Sequence, residues 1–453
     1  MLMTFDEAVS LAGFELLPAG GQQHGGFDSV CVDSRRALSG SLFVALSGEK
    51  LDGHAFVKDA FKAGAAAALV ERSKLAKFNL AEAADGSSAA MLVTDNTMSA
   101  LQALAAAYLE RFPKMIRVGI TGSSGKTTTK ELAAAMAGLE RNVIFNEGNL
   151  NSDIGLPLSV FKVREEHEIG IFEMGMNRKG EIAELAAVLK PQIALITNTG
   201  TAHIGLIGGE REIALEKKAV FSRFTGKEQA VLPEKSAFLE LLTKDVNGRV
   251  SYFGTNSSKK FGGAKSMGLS GSTIVWGGKP VNFPLPGEYN VMNALAAAAI
   301  AEAAGVSDDA IRGGLESAKP LFARGEIVKG DITIVRDCYN ANPDSMEKAI
   351  TLCDETVCGG RRVYVIGSML ELGGSSEAAH EALGERLARS KADIVFLFGE
   401  ETKAAYSKLR NTKVTFYSTD IEELKLKVKD HAKKGDIVLL KGSRCCGLER
   451  IVL

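Results

Sequence analysis

The chain has 453 residues, 45% of them hydrophobic and 24% charged, and its formal net charge is −1. This length exceeds one ordinary hydrophobic core, so we expect two to four domains. The near-zero charge gives no general attraction to nucleic acid, and no apolar run approaches the length of a membrane span, so we expect neither nucleic-acid binding nor membrane insertion. An N-terminus without a basic signal segment and six scattered cysteines favour a cytoplasmic protein with reduced thiols.

The first predicted unit, residues 1–112, alternates short helices and strands. A helix is expected over residues 5–12, and an alanine-rich helix over residues 97–112 ends the unit before Pro113, where a helix should stop. Apolar runs between these helices predict four strands, at residues 29–32, 41–46, 66–70 and 90–93.

The second predicted unit, residues 113–319, begins with an apolar strand at 116–120, a glycine-rich loop at 121–128 and a helix. In this context a phosphate-binding loop is credible, because backbone N–H groups and the helix N-terminus turn toward phosphate oxygens. Lys126 would neutralise the β- and γ-phosphates, and Thr127 would offer its hydroxyl to a magnesium ion. The strict pattern needs a glycine at Ile120, so a glycine turn without a ligand is the alternative.

Strands and helices alternate after this loop, which predicts a parallel sheet covered on both faces. Glu173 ends the strand at 169–173, and the strand at 193–197 leads to His203. Ligands bind at the carboxyl edge of such a sheet, so Glu173 is a candidate magnesium ligand. The alternatives are a solvated strand-end acid for Glu173 and a packed or surface histidine for His203.

Other parts of the second unit are less specific. The amide-rich segment 146–157 either recognises a polar ligand or forms an ordinary turn. Residues 250–286 predict an antiparallel extension, and helices follow at 290–304 and 308–318. Ile213, Lys217, Val220 and Phe221 share one helical face, which turns Lys217 to the apolar side and Lys218 toward solvent. From spacing alone, Lys217 buries its stem and its ammonium reaches water.

The third predicted unit, residues 320–453, is a second α/β sheet. Its strands are expected at residues 332–335, 363–366, 393–398, 414–417 and 437–440. Residues 337–345 and 441–444 follow the first and last of these strands, so both lie at the ligand edge. A second α/β domain closing over a nucleotide domain suggests a reaction between an ATP-activated group and another substrate, with water excluded.

Together these motifs make the chain resemble the ATP-dependent Mur ligases of peptidoglycan precursor synthesis over nearly its whole length. The family-wide motifs are residues 121–128, Glu173, Ala202-His203, and Asn290 with Asn293. The motifs of the branch that adds D-alanyl-D-alanine are Gly148-Asn149-Leu150-Asn151 with Ile154-Gly155, Tyr339-Asn340-Ala341-Asn342 with Ser345-Met346, Gly367 with Met369 and Glu371-Leu372-Gly373, and Lys441-Gly442-Ser443-Arg444. Two positions depart from the family: Tyr289 stands where histidine is usual, and Ser368 where aspartate is usual.

The resemblance implies an α/β fold of three domains. These are an N-terminal UDP-substrate domain, a central P-loop ATPase-like parallel sheet and a C-terminal Rossmann-like domain, at residues 1–112, 113–319 and 320–453. It implies ATP and Mg²⁺ as cofactors, and UDP-N-acetylmuramoyl-tripeptide and D-alanyl-D-alanine as partners of a monomer. The tripeptide carboxylate would take the γ-phosphoryl group to form an acyl phosphate, which the amine of the dipeptide then attacks.

Roles for individual residues also follow from the resemblance. The ATP phosphates would be held by Gly122, Ser123, Ser124, Gly125, Lys126, Thr127 and Thr128. Asn290 would lie near the adenine, Arg324 near the γ-phosphate and Asp337 near the ribose. One magnesium would be held by Thr127 and Glu173, and a second by His203 and a carbamylated Lys217. The uridine diphosphate would meet Asp33, Ser34 and Arg35, and the acceptor path would be lined by Asn149 and Asn151. The catalytic residues would be Lys126, Lys217, His203 and Arg324.

Three other functions remain as alternatives. The first is a sister ligase that adds lysine or diaminopimelate, or a folylpolyglutamate synthase, against which the motif Tyr339-Asn340-Ala341-Asn342 argues. The second is a regulatory GTP switch, which needs an Asn-Lys-x-Asp motif that this sequence lacks. The third is a precursor-binding protein without catalysis, against which Lys126, Glu173, His203 and Lys217 argue. Whether the tripeptide ends in lysine or diaminopimelate is left open.

Overall fold

The computed structural model describes residues 1–17, 25–80 and 89–453. The chain divides into two compact units. The first unit comprises Met1–Arg117, Asn142–Met174 and Ala183–Lys190, and the second comprises Val118–Arg141, Gly175–Ile182 and Pro191–Leu453. Within the described ranges, no helix combines the length and the apolar character needed to cross a membrane.

The first unit contains a five-stranded sheet. Its order is Glu15–Leu17, Ala90–Thr94, Ala67–Glu71, Ser41–Val44 and Ser29–Cys31. All pairs are parallel except the one made by Glu15–Leu17 at the edge. The strand Ser41–Val44 is buried along its whole length, as expected for a parallel strand covered on both faces.

The first unit also contains further strand pairs and helices. Met3–Thr4 pairs antiparallel with Gly26–Phe27, and Val143–Phe145 pairs parallel with Ile169–Glu173. Helices cover Phe5–Ala12, Val57–Lys62, Thr97–Leu109 and Gly155–Val160. The first helix begins with a capping box between Thr4 and Glu7 and ends at Gly13, where φ is 66°. The helix predicted at 97–112 covers Thr97–Leu109 in the structure, so it ends three residues before its predicted end.

The second unit contains a parallel sheet whose strands lie in the order Arg249–Phe253, Gln229–Pro233, Ile193–Ile196 and Ile116–Thr121. Helices associated with it cover Lys126–Ala137, Ile204–Ile207, Glu210–Lys218, Leu239–Thr243, Glu288–Ala303 and Asp308–Glu316. The helix Glu181–Leu189 has its first two residues in this unit and the rest in the first unit.

One predicted region is corrected here. Residues 250–286 were expected to form an antiparallel extension, but Arg249–Phe253 pairs in parallel with Gln229–Pro233. The helix Leu239–Thr243 between these two strands provides the crossover that a parallel pair requires. Only the later strands, Phe261–Ser266, Ser272–Trp276 and Lys279–Phe283, form an antiparallel sheet.

A second large sheet completes the second unit. Its order is Glu326–Val328, Thr333–Asp337, Ile437–Lys441, Arg362–Gly367, Ile394–Phe398 and Val414–Ser418. Only Glu326–Val328, which was not predicted, runs antiparallel to its neighbour. Helices cover Pro343–Glu355, Ser376–Arg389, Lys403–Leu409 and Ile421–His431. The predicted α/β architecture is confirmed, and the strand ends at 337 and 441 lie at one edge of this sheet.

The core of this second large sheet gives a stability prediction. Leu439 lies on an interior strand and is fully buried, whereas Val414 lies on the edge strand and is 55% exposed. Leu439→Ala should lower the free energy of unfolding by about 2–5 kcal/mol, because it removes buried methyl groups and leaves a cavity. Val414→Ala should change it by no more than about 0.5 kcal/mol. Urea denaturation of both variants measures the difference, and equal midpoints would contradict the assigned core.

Candidate active site

The glycine-rich loop at 121–128 has the backbone of a phosphate cradle. Gly122 and Gly125 have φ values of 151° and 80°, which side-chain-bearing residues rarely adopt. A Cβ atom at Gly122 would collide with Thr197, and one at Gly125 would collide with Asn293. Glycine is therefore required at both positions by conformation and by close packing.

Two residues that follow the strand Ile193–Ile196 hold this loop in shape. The hydroxyl of Thr197 donates to the carbonyl of Ser124 at 2.7 Å, and the amide of Asn198 donates to the same carbonyl at 2.9 Å. Asn198 Oδ1 in turn accepts the N–H of Ser124 at 3.1 Å. The hydroxyl of Ser123 donates to the carbonyl of Gly200 at 2.7 Å. The loop is thus preorganised by protein contacts alone.

The helix Lys126–Ala137 starts directly at the loop, so its N-terminal N–H groups and its dipole favour an anion there. Lys126 Nζ donates to the carbonyl of Gly122 at 2.8 Å, which keeps its charge at the loop. Thr127 is buried at the first turn. A conformation that only glycine permits, a helix N-terminus and a local cation together fit a polyphosphate.

Lys217 is a fully buried lysine near this loop. It lies in the helix Glu210–Lys218 and is 1% exposed. Its Nζ is 3.7 Å from the sulfur of Met176. Burial lowers the pKa of Lys217 well below its usual range, the positive charge of Lys126 lowers it further, and Glu216 opposes the shift. The predicted apolar face is confirmed, but the amine does not reach water as spacing alone suggested.

Glu216 anchors the helix that carries Lys217. Its two carboxylate oxygens accept the N–H groups of Gly180 at 2.8 Å and Ile182 at 2.9 Å. These groups lie at the start of the helix Glu181–Leu189, where a carboxylate interacts favourably with the helix dipole. Lys218 is half-buried rather than fully solvated, because its ammonium donates to the carbonyl of Lys244.

Glu173 is held by two asparagines of the amide-rich segment. Asn146 donates to the backbone carbonyl of Glu173 at 2.9 Å and accepts its N–H at 2.8 Å. Asn151 donates to the Glu173 carboxylate at 2.7 Å, whereas Asn149 is exposed. Part of the amide-rich segment therefore positions a buried carboxylate, and Asn151 contacts Glu173 directly.

His203 and Glu371 meet with unusual backbone conformations. Their φ values are 63° and 65°, in the left-handed region, where strain costs about 1–3 kcal/mol per residue. His203 Nδ1 lies 2.7 Å from Glu371 Oε2, and within the described residues this nitrogen has no hydrogen bond of standard geometry. His203 lowers the pKa of Glu371, mainly through this contact.

Arg324 and Asp337 both contact neighbouring side chains. The guanidinium of Arg324 stacks on the ring of Tyr339, 3.8 Å from its centre. Asp337 lies 3.1 Å from the ammonium of Lys441 and also accepts the N–H of Gly325. Burial raises the pKa of Asp337, and Lys441 opposes that shift. Asp337 thus ties the backbone next to Arg324 to the second large sheet.

The other expected nucleotide contact lies at the start of the helix Glu288–Ala303. Asn290 is buried, donates to the carbonyl of Pro286 at 2.8 Å and accepts the amide of Asn293 at 3.2 Å. Tyr289 lies beside Gly325, and burial raises its pKa. This segment therefore links Gly125 of the glycine-rich loop, through Asn293, to Asn290.

The expected substrate residues of the first unit form a local cluster. Asp33 accepts from the Arg35 side chain at 2.9 and 2.8 Å and caps the short turn Ser34–Arg36. The pKa of Asp33 falls to about 2, chiefly because of its hydrogen bond with the Arg35 side chain. Arg35 is largely exposed, so its guanidinium faces solvent as well as Asp33.

The donor set accounts for a magnesium ion only in part. Hydroxyl and carboxylate oxygens such as those of Thr127 and Glu173 suit this hard cation. In the described part of the chain, no three His, Cys, Asp or Glu side chains gather as a metal cluster. Magnesium commonly takes one or two carboxylates together with substrate phosphates. Lys217 fits as a ligand only when its neutral amine carries a carboxylate group.

Four residues that sequence analysis gave no role hold candidate site residues or their helices in place: Thr197, Asn198, Asn146 and Glu216. Thr197 and Asn198 had one detectable signal, since polar residues directly after a parallel strand lie at the ligand edge. Asn146 was noted only as part of an amide-rich segment. Glu216 had no signal, because its partners are backbone groups more than 30 residues away.

Family models match most of the chain. The chain matches the Mur ligase family catalytic domain over residues 27–109, the Mur ligase middle domain over 120–301 and the Mur ligase glutamate ligase domain over 323–444. It is 40% identical to the UDP-N-acetylmuramoyl-tripeptide--D-alanyl-D-alanine ligase of Treponema pallidum (strain Nichols), covering 100% of this chain and 98% of that protein. Identity to the Bacillus subtilis (strain 168) ligase of the same name is 36%, with 93% and 92% covered.

Solved structures give the same result. A MurF structure from Acinetobacter baumannii superposes with a TM-score of 0.88 at 30% identity, covering 99% of this chain and 97% of that chain. The MurF ligase of Thermotoga maritima, in complex with ADP, superposes with a TM-score of 0.80 at 28% identity, covering 93% and 96%. Sequence, fold and site geometry agree that the chain belongs to the Mur ligase family.

Proposed function

We propose that this chain is the ligase that joins D-alanyl-D-alanine to UDP-N-acetylmuramoyl-tripeptide and releases ADP and phosphate. Full-length relatives bear the name of this reaction, and the Thermotoga maritima structure holds ADP. The observation that carries the proposal is the buried Lys217 amine near a preorganised phosphate loop. A regulatory nucleotide switch gives no reason for such a residue.

The proposed reaction assigns a task to each part of the loop. Gly122 to Thr128 hold the ATP phosphates through backbone N–H groups, and Lys126 balances charge on the transferred phosphoryl group. Transfer of a phosphoryl group depends mainly on positioning and charge stabilisation, which preorganised donors supply. The tripeptide carboxylate forms an acyl phosphate as the bond to ADP breaks. The dipeptide amine then attacks the acyl carbon, and phosphate leaves.

Bound magnesium would neutralise phosphate charge during this transfer. We assign Thr127 and Glu173 to one ion, and His203 and a carbamylated Lys217 to another. Lys217 supports its assignment because a neutral amine can take up carbon dioxide, whereas an ammonium there would repel a cation. Asn151 orients Glu173 through a hydrogen bond to its carboxylate.

The remaining assignments concern the nucleotide and the second substrate. Arg324 would meet the γ-phosphate, Asn290 would lie near the adenine and Asp337 near the ribose. Lys441 and the Gly325 N–H already bind the Asp337 carboxylate, which supports a role for Asp337 in holding Arg324 in place. Asp33, Ser34 and Arg35 would meet the uridine diphosphate, and Asn149 and Asn151 would line the acceptor path.

We also propose the domain limits 1–112, 113–319 and 320–453, for UDP-substrate binding, ATP binding and the C-terminal ligase domain. The family matches at 27–109, 120–301 and 323–444 each fall inside one of these limits and support them. Soluble UDP-linked substrates support a cytoplasmic location.

The reaction itself is the first functional prediction. ADP and phosphate should appear only when ATP, UDP-N-acetylmuramoyl-tripeptide and D-alanyl-D-alanine are all present, because acyl transfer needs both substrates. Phosphate release should be measured with a panel of UDP-muramoyl peptides and, in place of the dipeptide, with lysine, diaminopimelate or glutamate. Turnover with a free amino acid would favour a sister ligase, and hydrolysis of GTP without ATP would contradict the ligase assignment.

Lys217 and Lys218 provide a matched pair of variants. Lys217→Ala should lower ligation by a factor of ~100 or more, because it removes a charge-stabilising group at the phosphoryl-transfer site. Lys218→Ala should barely change it, because that side chain lies on another face of the helix and its ammonium donates to the carbonyl of Lys244. Steady-state kinetics measure both, and a small added carboxylate should partly restore Lys217→Ala by replacing the missing oxygens. A fully active Lys217→Ala enzyme would refute the role of this lysine.

A further inference from the structure

The carboxylate of Glu371 lies close to the ring of His203, although the two residues follow strands of different sheets in the same unit. His203 follows the strand Ile193–Ile196, and Glu371 follows the strand Arg362–Gly367. His203 Nδ1 and Glu371 Oε2 are 2.7 Å apart. The contact therefore joins loops that extend from two different sheets, at a residue assigned above to a metal.

The backbones of the same two loops are also in contact. The N–H of Gly205 donates to the carbonyl of Glu371 at 3.0 Å. A Cβ atom at Gly205 would collide with the backbone of Gly373, so the loops approach as closely as glycine permits. The side-chain contact and the backbone hydrogen bond form one docked contact between residues 203–205 and 371–373.

Metal-site chemistry gives this contact a meaning. An imidazole that binds a metal usually donates its other ring N–H to a carboxylate or carbonyl group, which fixes the tautomer and the ring orientation. Glu371 at Nδ1 leaves Nε2 as the nitrogen available to a metal. The Glu371 side chain is 47% exposed, so the pair contributes little stability by itself. The main effect of Glu371 is therefore expected to be on the orientation of the His203 ring.

We propose that Glu371 is a positioning residue that orients His203 toward magnesium, so that this ligand is in place only when the C-terminal sheet docks on the nucleotide-binding sheet. The proposal rests on the proposed function, because it takes His203 as a magnesium ligand. It also accounts for the two left-handed residues, since a strained φ at both ends of one contact is retained where the contact matters.

Two substitutions at position 371 separate charge from backbone strain. Glu371→Gln keeps the shape and removes the charge. Glu371→Gly removes the side chain but adopts a φ of 65° without strain, so it should fold at least as well as the wild-type protein. Glu377→Gln is the control, because Glu377 is an exposed carboxylate in the first turn of the helix Ser376–Arg389. Thermal unfolding of each variant checks that the fold is kept.

The readout is binding of the ATP analogue AMP-PNP, measured by calorimetry over a range of Mg²⁺ concentrations. Both Glu371 variants should need about 10–100-fold more Mg²⁺ for half-maximal binding, the usual effect of losing an outer-shell partner. Glu377→Gln should match the wild-type protein. Combining Glu371→Gln with His203→Ala should give the same Mg²⁺ requirement as His203→Ala alone, because Glu371 acts through His203.

Three results would overturn the proposal in distinguishable ways. Wild-type Mg²⁺ dependence in both Glu371 variants would show that Glu371 does not orient a metal ligand. Effects of Glu371→Gln and His203→Ala that multiply would show that the two residues act independently. A wild-type protein that binds no AMP-PNP with Mg²⁺ present would overturn the proposed function itself, and the role of Glu371 with it.

Discussion

The proposed chemistry of this enzyme depends on the burial of one amine. Lys217 is almost fully removed from solvent, and its Nζ lies against the thioether of Met176. An unpaired buried ammonium would cost several kcal/mol, so burial lowers the pKa of Lys217 and favours its neutral form. The nearby charge of Lys126 acts in the same direction. Burial thus favours a neutral amine near the glycine-rich loop, which an exposed lysine would not provide.

The surrounding structure keeps that amine in place. Glu216, the preceding residue, uses both carboxylate oxygens to cap the helix Glu181–Leu189. The glycine-rich loop is held by Thr197 and Asn198, which follow the neighbouring parallel strand. Donors fixed before the substrate arrives need little reorganisation during phosphoryl transfer, which is how such sites lower a barrier. The parallel strands therefore position the residues that the proposed chemistry uses.

Sequence patterns predicted the parts of this structure that depend on local chemistry. The apolar run before Thr121 became a buried strand, and helical spacing placed Ile213 and Lys217 on one buried face. Spacing alone did not reveal the full burial of the Lys217 amine, because covering groups such as Met176 lie about 40 residues away. The parallel pairing of Arg249–Phe253 was missed because its partner is set by a crossover and not by a turn. The contact between His203 and Glu371 could not be predicted from the sequence for a similar reason, since it joins loops of two sheets.

We propose that the buried Lys217 amine takes up carbon dioxide and becomes a carbamate. The most direct measurement is ¹³C NMR of the protein equilibrated with ¹³C-bicarbonate, compared with Lys217→Ala and Lys218→Ala. We expect one carbamate carbonyl signal in the wild-type protein and in Lys218→Ala, and its loss in Lys217→Ala. Wild-type and Lys217→Ala spectra that both lack this signal would contradict carbamate formation at Lys217.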